Sequence, residues 1–224
     1  MQIRHDLMLR AACAAKSAAH GLGAYACALE WECTMRVLQV CAGVASRRRI
    51  DGREVLTAIG KTAVGGPVSV RSLGLAGDEQ ADLSVHGGLS KAVYAYPSEH
   101  LAFWQTVRAQ AGVAAWDEPV PPGLMGENLL LQGVLEADLW IGDRLVLPGC
   151  VLAVSEPRMP CFKFAAAMGF AKAVKLMAES GFCGSYLAVV VPGEVTAGDA
   201  FTLQPGPREV NLRDLFRARA RARN

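Results

Sequence analysis

The sequence lacks a long apolar run and a strong charge of either sign. No stretch reaches the roughly 18 to 20 apolar residues that a transmembrane helix needs, so we expect a soluble chain with no membrane partner. The formal net charge is +2 over 224 residues, which gives no reason to expect a nucleic-acid partner. Hydrophobic residues make up 52% and charged residues 20%, so the chain can bury a sizeable core.

The cysteines lack the spacing of a metal or redox motif. Seven are present and none forms a Cys-x-x-Cys pair, which argues against a zinc ribbon or a thioredoxin-like motif. An odd, scattered set is typical of reduced thiols, and it predicts a reducing, cytoplasmic location. The sequence also has no Gly-x-Gly-x-x-Gly and no iron–sulfur cysteine set, so a redox function would need separate partners.

Residues 1–34 lack both the hydrophobic periodicity of a folded segment and the continuous apolar core of a secretory signal. A convincing strand begins directly after Met35. We therefore predict an extension of little structure over 1–34, a folded domain over 35–206, and a short basic C-terminal tail or helix over 207–224.

Short apolar runs separated by Gly, Pro and Asp turns dominate the chain after Met35, and their spacing favours a barrel or sandwich over a βαβ repeat. The predicted strands are 36–41, 53–59, 67–71, 91–96, 128–131, 144–147, 150–155, 186–191 and 200–203. Helices are predicted over 99–111, over 171–180 and in the basic C-terminal stretch. The predicted fold class is therefore mainly β with peripheral helices (α+β).

A glycine-rich segment over 74–91 offers acids, a base and a cation in one loop. Glycines let a backbone approach a ligand closely and leave amide donors available. The residues singled out in it are Asp78, Asp82, His86, Gly87, Gly88 and Lys91. The alternative interpretation is a long solvated loop whose charges face water.

Two further segments carry polar groups next to strands. Glu127 and Asn128 precede an apolar strand and combine an acceptor with an amide, although a capped turn explains them equally well. Cys161 lies between Arg158 and Lys163, whose charges would lower the pKa of its thiol. A thiolate suits a soft metal and the cations suit a phosphate, whereas the alternative is a buried cysteine beside surface charges.

Five motifs occur together in a fixed order. They are Gly-Leu-Ala-Gly-Asp-Glu-Gln-Ala-Asp (74–82), His-Gly-Gly-Leu-Ser-Lys-Ala-Val-Tyr-Ala-Tyr-Pro (86–97), Met-Gly-Glu-Asn-Leu (125–129), Trp-Ile-Gly-Asp (140–143) and Glu-Pro-Arg-Met-Pro-Cys (156–161). In this order they resemble the MOSC family, the domain also found at the C-terminus of molybdenum cofactor sulfurases, and most closely its stand-alone, YiiM-like bacterial branch. The resemblance covers about 36–205 and implies a β-barrel-based fold that holds the molybdenum cofactor (molybdopterin).

The resemblance also implies roles for individual residues. Cys161 would be the molybdenum ligand, and the other members of the site would bind the cofactor or move protons. Cofactor binding is expected of Arg158, Lys163, Lys91, Arg71, Gly87, Gly88, Glu127 and Asn128, and catalytic roles of Asp78, Asp82 and His86. The implied activity is reduction of small N-hydroxylated compounds, such as hydroxylaminopurines or amidoximes, with electrons from a separate donor.

Three alternatives remain open from the sequence. Cys161 could carry a persulfide received from a cysteine desulfurase, which needs the same thiol and cations. Cys161 and His86 could form a hydrolase dyad, although neither a helix N-terminus at the cysteine nor an oxyanion signature is evident. The chain could also be a non-enzymatic cofactor-binding module. Pyridoxal phosphate is expected only on a partner, because no lysine lies in a recognisable Schiff-base site.

Overall fold

A mixed eight-stranded sheet organises the protein, which a computed structural model describes over residues 35–81 and 87–222. The predictions for 1–34, and those for Asp82 and His86, lie outside these residues. The strands are β1 (Arg36–Ala42), β2 (Ser46–Ile50), β3 (Arg53–Thr57), β4 (Thr62–Ala63), β5 (Val68–Arg71), β6 (Gly74–Leu75), β7 (Val93–Pro97), β8 (Leu129–Gln132), β9 (Arg144–Val146), β10 (Val151–Pro157), β11 (Ser185–Val191), β12 (Gly193–Val195) and β13 (Thr202–Gln204).

The main sheet has the strand order β13-β9-β10-β11-β7-β8-β1-β4. Its neighbours pair antiparallel except for β7 and β8, which are parallel. Val37 N donates to Asp199 O (2.9 Å), and Phe201 N donates to Met35 O (2.9 Å). These two bonds join β1 to the segment that leads into β13, so the sheet curls toward a closed form. No continuous ladder closes the sheet into a barrel among the described strands, but the prediction of a mainly β fold with peripheral helices is confirmed.

Within residues 35–81 and 87–222, four helices accompany this sheet: α1 (Leu101–Gln110), α2 (Phe162–Met168), α3 (Ala173–Ser180) and α4 (Leu212–Arg221), with 3-10 turns at Leu89–Lys91 and Ser98–His100. Trp104 and Phe164 are fully buried under α1 and α2, in the same apolar cluster as Phe216 of α4. The predicted C-terminal helix is confirmed. Asn211 caps it by accepting from Arg213 N (3.0 Å), which satisfies a backbone donor of the first turn.

The nine predicted strands and three predicted helices all form, but the sequence analysis does not predict β2, β4, β6, β12 or α2. β2 reads Ser-Arg-Arg-Arg-Ile, a composition that gives no alternation of apolar and polar residues. β4 and β6 contain two residues each, and β12 contains three. Such short strands form because tertiary neighbours supply their hydrogen bonds, and local sequence therefore carries little signal for them.

Candidate functional site

A cavity open to solvent lies where the ends of β3, β7 and β10 meet the loops that follow β6 and precede β8. Its charged lining residues are four cations and two acids, which are Lys61, Lys91, Arg158, Lys163, Asp78 and Glu79. The formal charge of the wall is therefore positive. Cys161, Asn128, Tyr94 and Tyr186 also line it. Such a cavity suits an anionic ligand of moderate size.

Cys161 differs from the other cysteines that the structure describes, because it is half-buried while the rest are buried. Burial raises the pKa of Cys41 to about 12 and that of Cys150 to about 11, and it also raises the pKa of Cys183. These three thiols are held in the unreactive, protonated form. Cys161 is therefore the one described cysteine with both access to the cavity and access to solvent.

The structure corrects one expectation about Cys161. The sequence analysis sees no helix N-terminus there, yet Cys161 is the N-cap residue of α2, and its carbonyl accepts from Phe164 N at 2.9 Å. The helix is missed because Pro157 and Pro160 dominate the local pattern. The N-terminus of a helix carries a partial positive charge, so α2 adds to the positive wall around Cys161.

Arg158 is a buried cation held by aromatic rings. Its guanidinium lies 4.9 Å from the ring centroid of Tyr94 and 5.0 Å from that of Phe164, and the residue is 6% exposed. Its Nη1 has no hydrogen-bond partner within residues 35–81 and 87–222. Cation–π contacts stabilise the charge but do not satisfy an N–H donor, so Nη1 is an unsatisfied buried donor among the described residues.

Lys61 and Asp78 form a buried ion pair in another wall of the cavity. Lys61 Nζ lies 2.5 Å from Asp78 Oδ2, and their side chains are 9% and 4% exposed. Asp78 Oδ1 also accepts from Gly43 N at 2.9 Å, which fixes the carboxylate from both oxygens. Burial lowers the pKa of Lys61, while the charge of Asp78 acts in the opposite direction. Lys61 is therefore a positioned ammonium with an enhanced acidity.

The loop before β8 packs against the backbone of Lys61 and holds it in place. Lys61 N donates to Gly123 O at 2.8 Å, and a Cβ at Gly123 would lie 2.3 Å from the carbonyl oxygen of Lys61. Gly123 also has a φ of +84°, so only glycine fits this close approach without strain. Glu127 holds the same loop by accepting from Gly123 N (2.6 Å) and Met125 N (3.1 Å).

Glu127 and Asn128 contribute mainly to the framework. Glu127 is fully buried beneath the loop and is not among the described residues that line the cavity; burial raises its pKa to about 7. Asn128 lines the cavity, but its Oδ1 accepts from Tyr94 N (3.0 Å) and its Nδ2 donates to Cys41 O (3.2 Å). The amide therefore bridges β1 and β7 next to the cavity.

The rim of the cavity is tied to the C-terminal helix through Glu156. Lys91 Nζ lies 3.8 Å from Glu156 Oε1, and Arg219 Nη1 of α4 lies 2.9 Å from Glu156 Oε2. Gln80 also holds the 87–91 segment, because its Oε1 accepts from Gly88 N at 2.8 Å. These contacts hold the 87–91 segment against the end of β10.

Of the predicted site residues, the structure places six around the cavity: Asp78, Lys91, Asn128, Arg158, Cys161 and Lys163. Arg71, Gly87, Gly88 and Glu127 are described but do not line it. Arg71 lies away from the cavity because it is the exposed last residue of β5. The lining residues that are not predicted from the sequence include Lys61, Gln80, Tyr94 and Tyr186. Gln80 and Tyr94 lie inside the motifs that carry the resemblance, whereas Lys61 has no local signal beyond its neighbouring glycine.

Residues 35–81 and 87–222 contain neither a cluster of metal-ligating side chains nor a membrane-spanning helix. No group of three or more His, Cys, Asp or Glu side chains is placed to hold a metal ion in that part of the chain. Within the same residues, no helix has the length and apolar character required to traverse a lipid bilayer.

The chain is similar to proteins of known sequence and structure. The MOSC domain model matches residues 82–202. YflK, an uncharacterized protein of Bacillus subtilis (strain 168), is 35% identical over 162 residues, which cover 72% of this chain and 70% of that protein. A protein named Reductase from Gibberella moniliformis (strain M3125 / FGSC 7600) is 34% identical over 192 residues, which cover 82% of this chain but 32% of that protein. The crystal structure of YiiM from Geobacillus stearothermophilus matches with a TM-score of 0.66 at 28% identity, covering 85% of this chain and 86% of that one.

Proposed function

Since the chain belongs to the MOSC domain family, we propose that its cavity binds the molybdenum cofactor and that the protein is an oxidoreductase. The observation that carries this proposal is Arg158, a buried cation in the cavity wall whose Nη1 has no hydrogen-bond partner among the described residues. A buried, unpaired N–H donor is costly unless a ligand satisfies it. A phosphate group would do so, because guanidinium and phosphate form short, charge-assisted hydrogen bonds.

The other residues of the cavity fit the same cofactor. Cys161 would bind the metal, since a thiolate is a suitable ligand for a soft metal. Lys163 and Lys91 would add positive charge near the anionic group, and both line the cavity.

Bound in the cavity, the cofactor would supply a centre that takes up and releases two electrons. We propose small N-hydroxylated compounds, such as hydroxylaminopurines or amidoximes, as the substrates. Their reduction consumes two electrons and two protons and converts the N–OH group to N–H and water. Electrons would come from a separate donor protein. The fungal relative named Reductase supports an oxidoreductase role.

Lys61 is our candidate for supplying one of the protons. Its ammonium group lines the cavity, and the carboxylate of Asp78 holds it at 2.5 Å. Because burial lowers the pKa of Lys61, the ammonium gives up its proton more readily than an exposed lysine would. Asp78 keeps the group charged and oriented between turnovers.

The decisive experiment compares Cys161→Ala with Cys150→Ala, both produced in a host that makes the cofactor. We expect wild type and Cys150→Ala to contain molybdenum and to reduce a hydroxylaminopurine with a small chemical reductant. Cys161→Ala should lose molybdenum and activity. Elemental analysis and product chromatography provide the two readouts. Wild-type protein free of molybdenum would contradict the proposal, and a persulfide on Cys161 by mass spectrometry would then support sulfur transfer instead.

A further inference from the structure

A two-stranded ribbon of unusual charge stands beside the cavity. β2 and β3 pair only with each other in the described sheets, and the turn between them is Asp51-Gly52, with φ values of +49° and +78°. This is the geometry of a tight hairpin turn, which fixes the register of the two strands. All but three of the residues in the two strands, including the four arginines Arg47, Arg48, Arg49 and Arg53, are exposed.

The charge of this ribbon exceeds what its own acids neutralise. Four arginines against Asp51 and Glu54 give 4 − 2 = +2, which equals the formal charge of the whole chain. Arg47 pairs with Glu54 at 3.3 Å, but both side chains are more than 70% exposed (78% and 71%), so the pair contributes little. Arg48, Arg49 and Arg53 have no ion pair with any residue in the described part of the chain.

The ribbon is continuous with the wall of the cavity. β3 ends at Thr57, and Thr57, Ala58 and Ile59 line the cavity. Lys163 Nζ donates to Leu56 O at 3.1 Å, which ties the end of β3 to the segment that contains Cys161. The guanidinium of Arg48 lies over Gly60, where an added Cβ would be 3.2 Å from Nη1. The basic surface therefore begins at the mouth of the cavity.

We propose that this arginine ribbon docks an acidic electron-transfer protein, an inference that rests on the proposed function. Neighbouring residues of a strand face opposite sides, so Arg48 lies on one face of the ribbon and Arg47 and Arg49 lie on the other. A small anion would need donors that converge on one point, and arginines on opposite faces do not converge. Because the ribbon is a single layer, the charges of both faces act on a partner that lies within a Debye length, and together they attract an acidic protein surface. No aromatic side chain lies in 46–57, so the ribbon offers no platform for stacking nucleic-acid bases.

The test measures binding of an acidic flavodoxin to the full chain by calorimetry. Arg49→Gln/Arg53→Gln removes two unpaired charges from the ribbon and should weaken binding about tenfold at low salt. Arg213→Gln/Arg217→Gln removes two exposed charges from α4 and is the matched control, with an expected change below about twofold. Raising the salt to about 0.5 M should remove the difference, because exposed charges are then screened.

A second ribbon variant separates charge from folding. Arg49→Lys/Arg53→Lys keeps both charges and should bind flavodoxin like wild type, whereas a ribbon disrupted by substitution would weaken it as well. Three results would overturn the proposal: no flavodoxin binding to wild type, equal weakening by the ribbon and α4 pairs, or preferential binding of a short DNA duplex by the ribbon. Turnover with a small chemical reductant should be equal in all variants. Its absence in wild type would count against the proposed function, while the flavodoxin measurement tests the docking surface directly.

Discussion

Arg158 and Lys61 are both buried cations in the wall of one cavity, yet their surroundings differ. Lys61 has its own counter-ion, Asp78, at 2.5 Å. Arg158 has two aromatic rings at about 5 Å and an Nη1 without a hydrogen-bond partner among the described residues. Asp78 already neutralises the charge of Lys61, whereas Arg158 forms no such ion pair with a carboxylate in the described part of the chain and keeps an N–H donor for a ligand. The protein thus uses similar burial for two purposes, a held proton donor and an open anion site.

The largest expected effect comes from breaking the internal pair. Asp78→Asn leaves the ammonium of Lys61 buried without its counter-ion, and Lys61→Met does the same to the carboxylate. Each single change should lower the free energy of unfolding by about 3 kcal/mol or more. The double variant should lose less than the sum of the two, since it leaves no isolated charge. Urea denaturation of the four proteins gives this coupling energy, and simple additivity would show that the two groups do not depend on each other.

Glu127 extends the comparison to a buried acid whose described partners are backbone amides. Its pKa is raised by burial to about 7 from an ordinary 4.5, so the folded protein holds a proton that the unfolded chain releases. Stability should therefore fall as the pH rises from 4.5 to 7, by up to about 3 kcal/mol, and should be level again above that range. Glu127→Gln should flatten this slope. Denaturation midpoints measured between pH 4.5 and pH 8 test it, and an unchanged slope in the variant would assign the pH dependence to other groups.

Much of the fold follows from local sequence, because periodic apolar runs and turn residues specify most strands directly. The part of the site that can be predicted from the sequence is equally local, because Arg158, Cys161 and Lys163 lie within six consecutive residues. Lys61 is different. It becomes a site residue only because the loop at Gly123 and the carboxylate of Asp78 are folded against it. A lone lysine in a sequence carries no mark of a partner 17 positions away.

Arg71 and Glu127 lie away from the cavity for the same physical reason. Both belong to segments that the motifs predict well, but a motif does not specify which side chains face the cavity. Arg71 ends β5 on its exposed side, and Glu127 turns inward to bind the amides of its own loop. The docking of elements decides the direction of each side chain, and that information is spread over the whole chain. The arginine strand β2 is missed because its partner strand, rather than its composition, makes it a strand.

The open cation should respond in the opposite way to the paired one. Arg158→Met keeps an unbranched chain between Tyr94 and Phe164 but removes the charge. The cofactor-free protein should lose about 1 kcal/mol of stability or less, because removal of a buried charge offsets the loss of the contacts with Tyr94 and Phe164. Affinity for the cofactor should fall about 100-fold, because a charge-assisted contact to its phosphate is removed. Thermal denaturation and molybdenum content are the two measurements. A large loss of stability without the cofactor would instead assign Arg158 to the framework.

The smallest effect sharpens the comparison, because it concerns a cation on the same segment as Arg158 that is less buried. Lys163 donates to Leu56 O at 3.1 Å and is partly exposed, so water already satisfies and screens much of its charge. Lys163→Met should change the free energy of unfolding by less than about 0.5 kcal/mol and weaken cofactor binding by about threefold. If Lys163→Met and Arg158→Met lower the molybdenum content equally, charge alone governs binding, and the burial of Arg158 loses its significance. A clear difference would show that desolvation gives the unpaired guanidinium its strength.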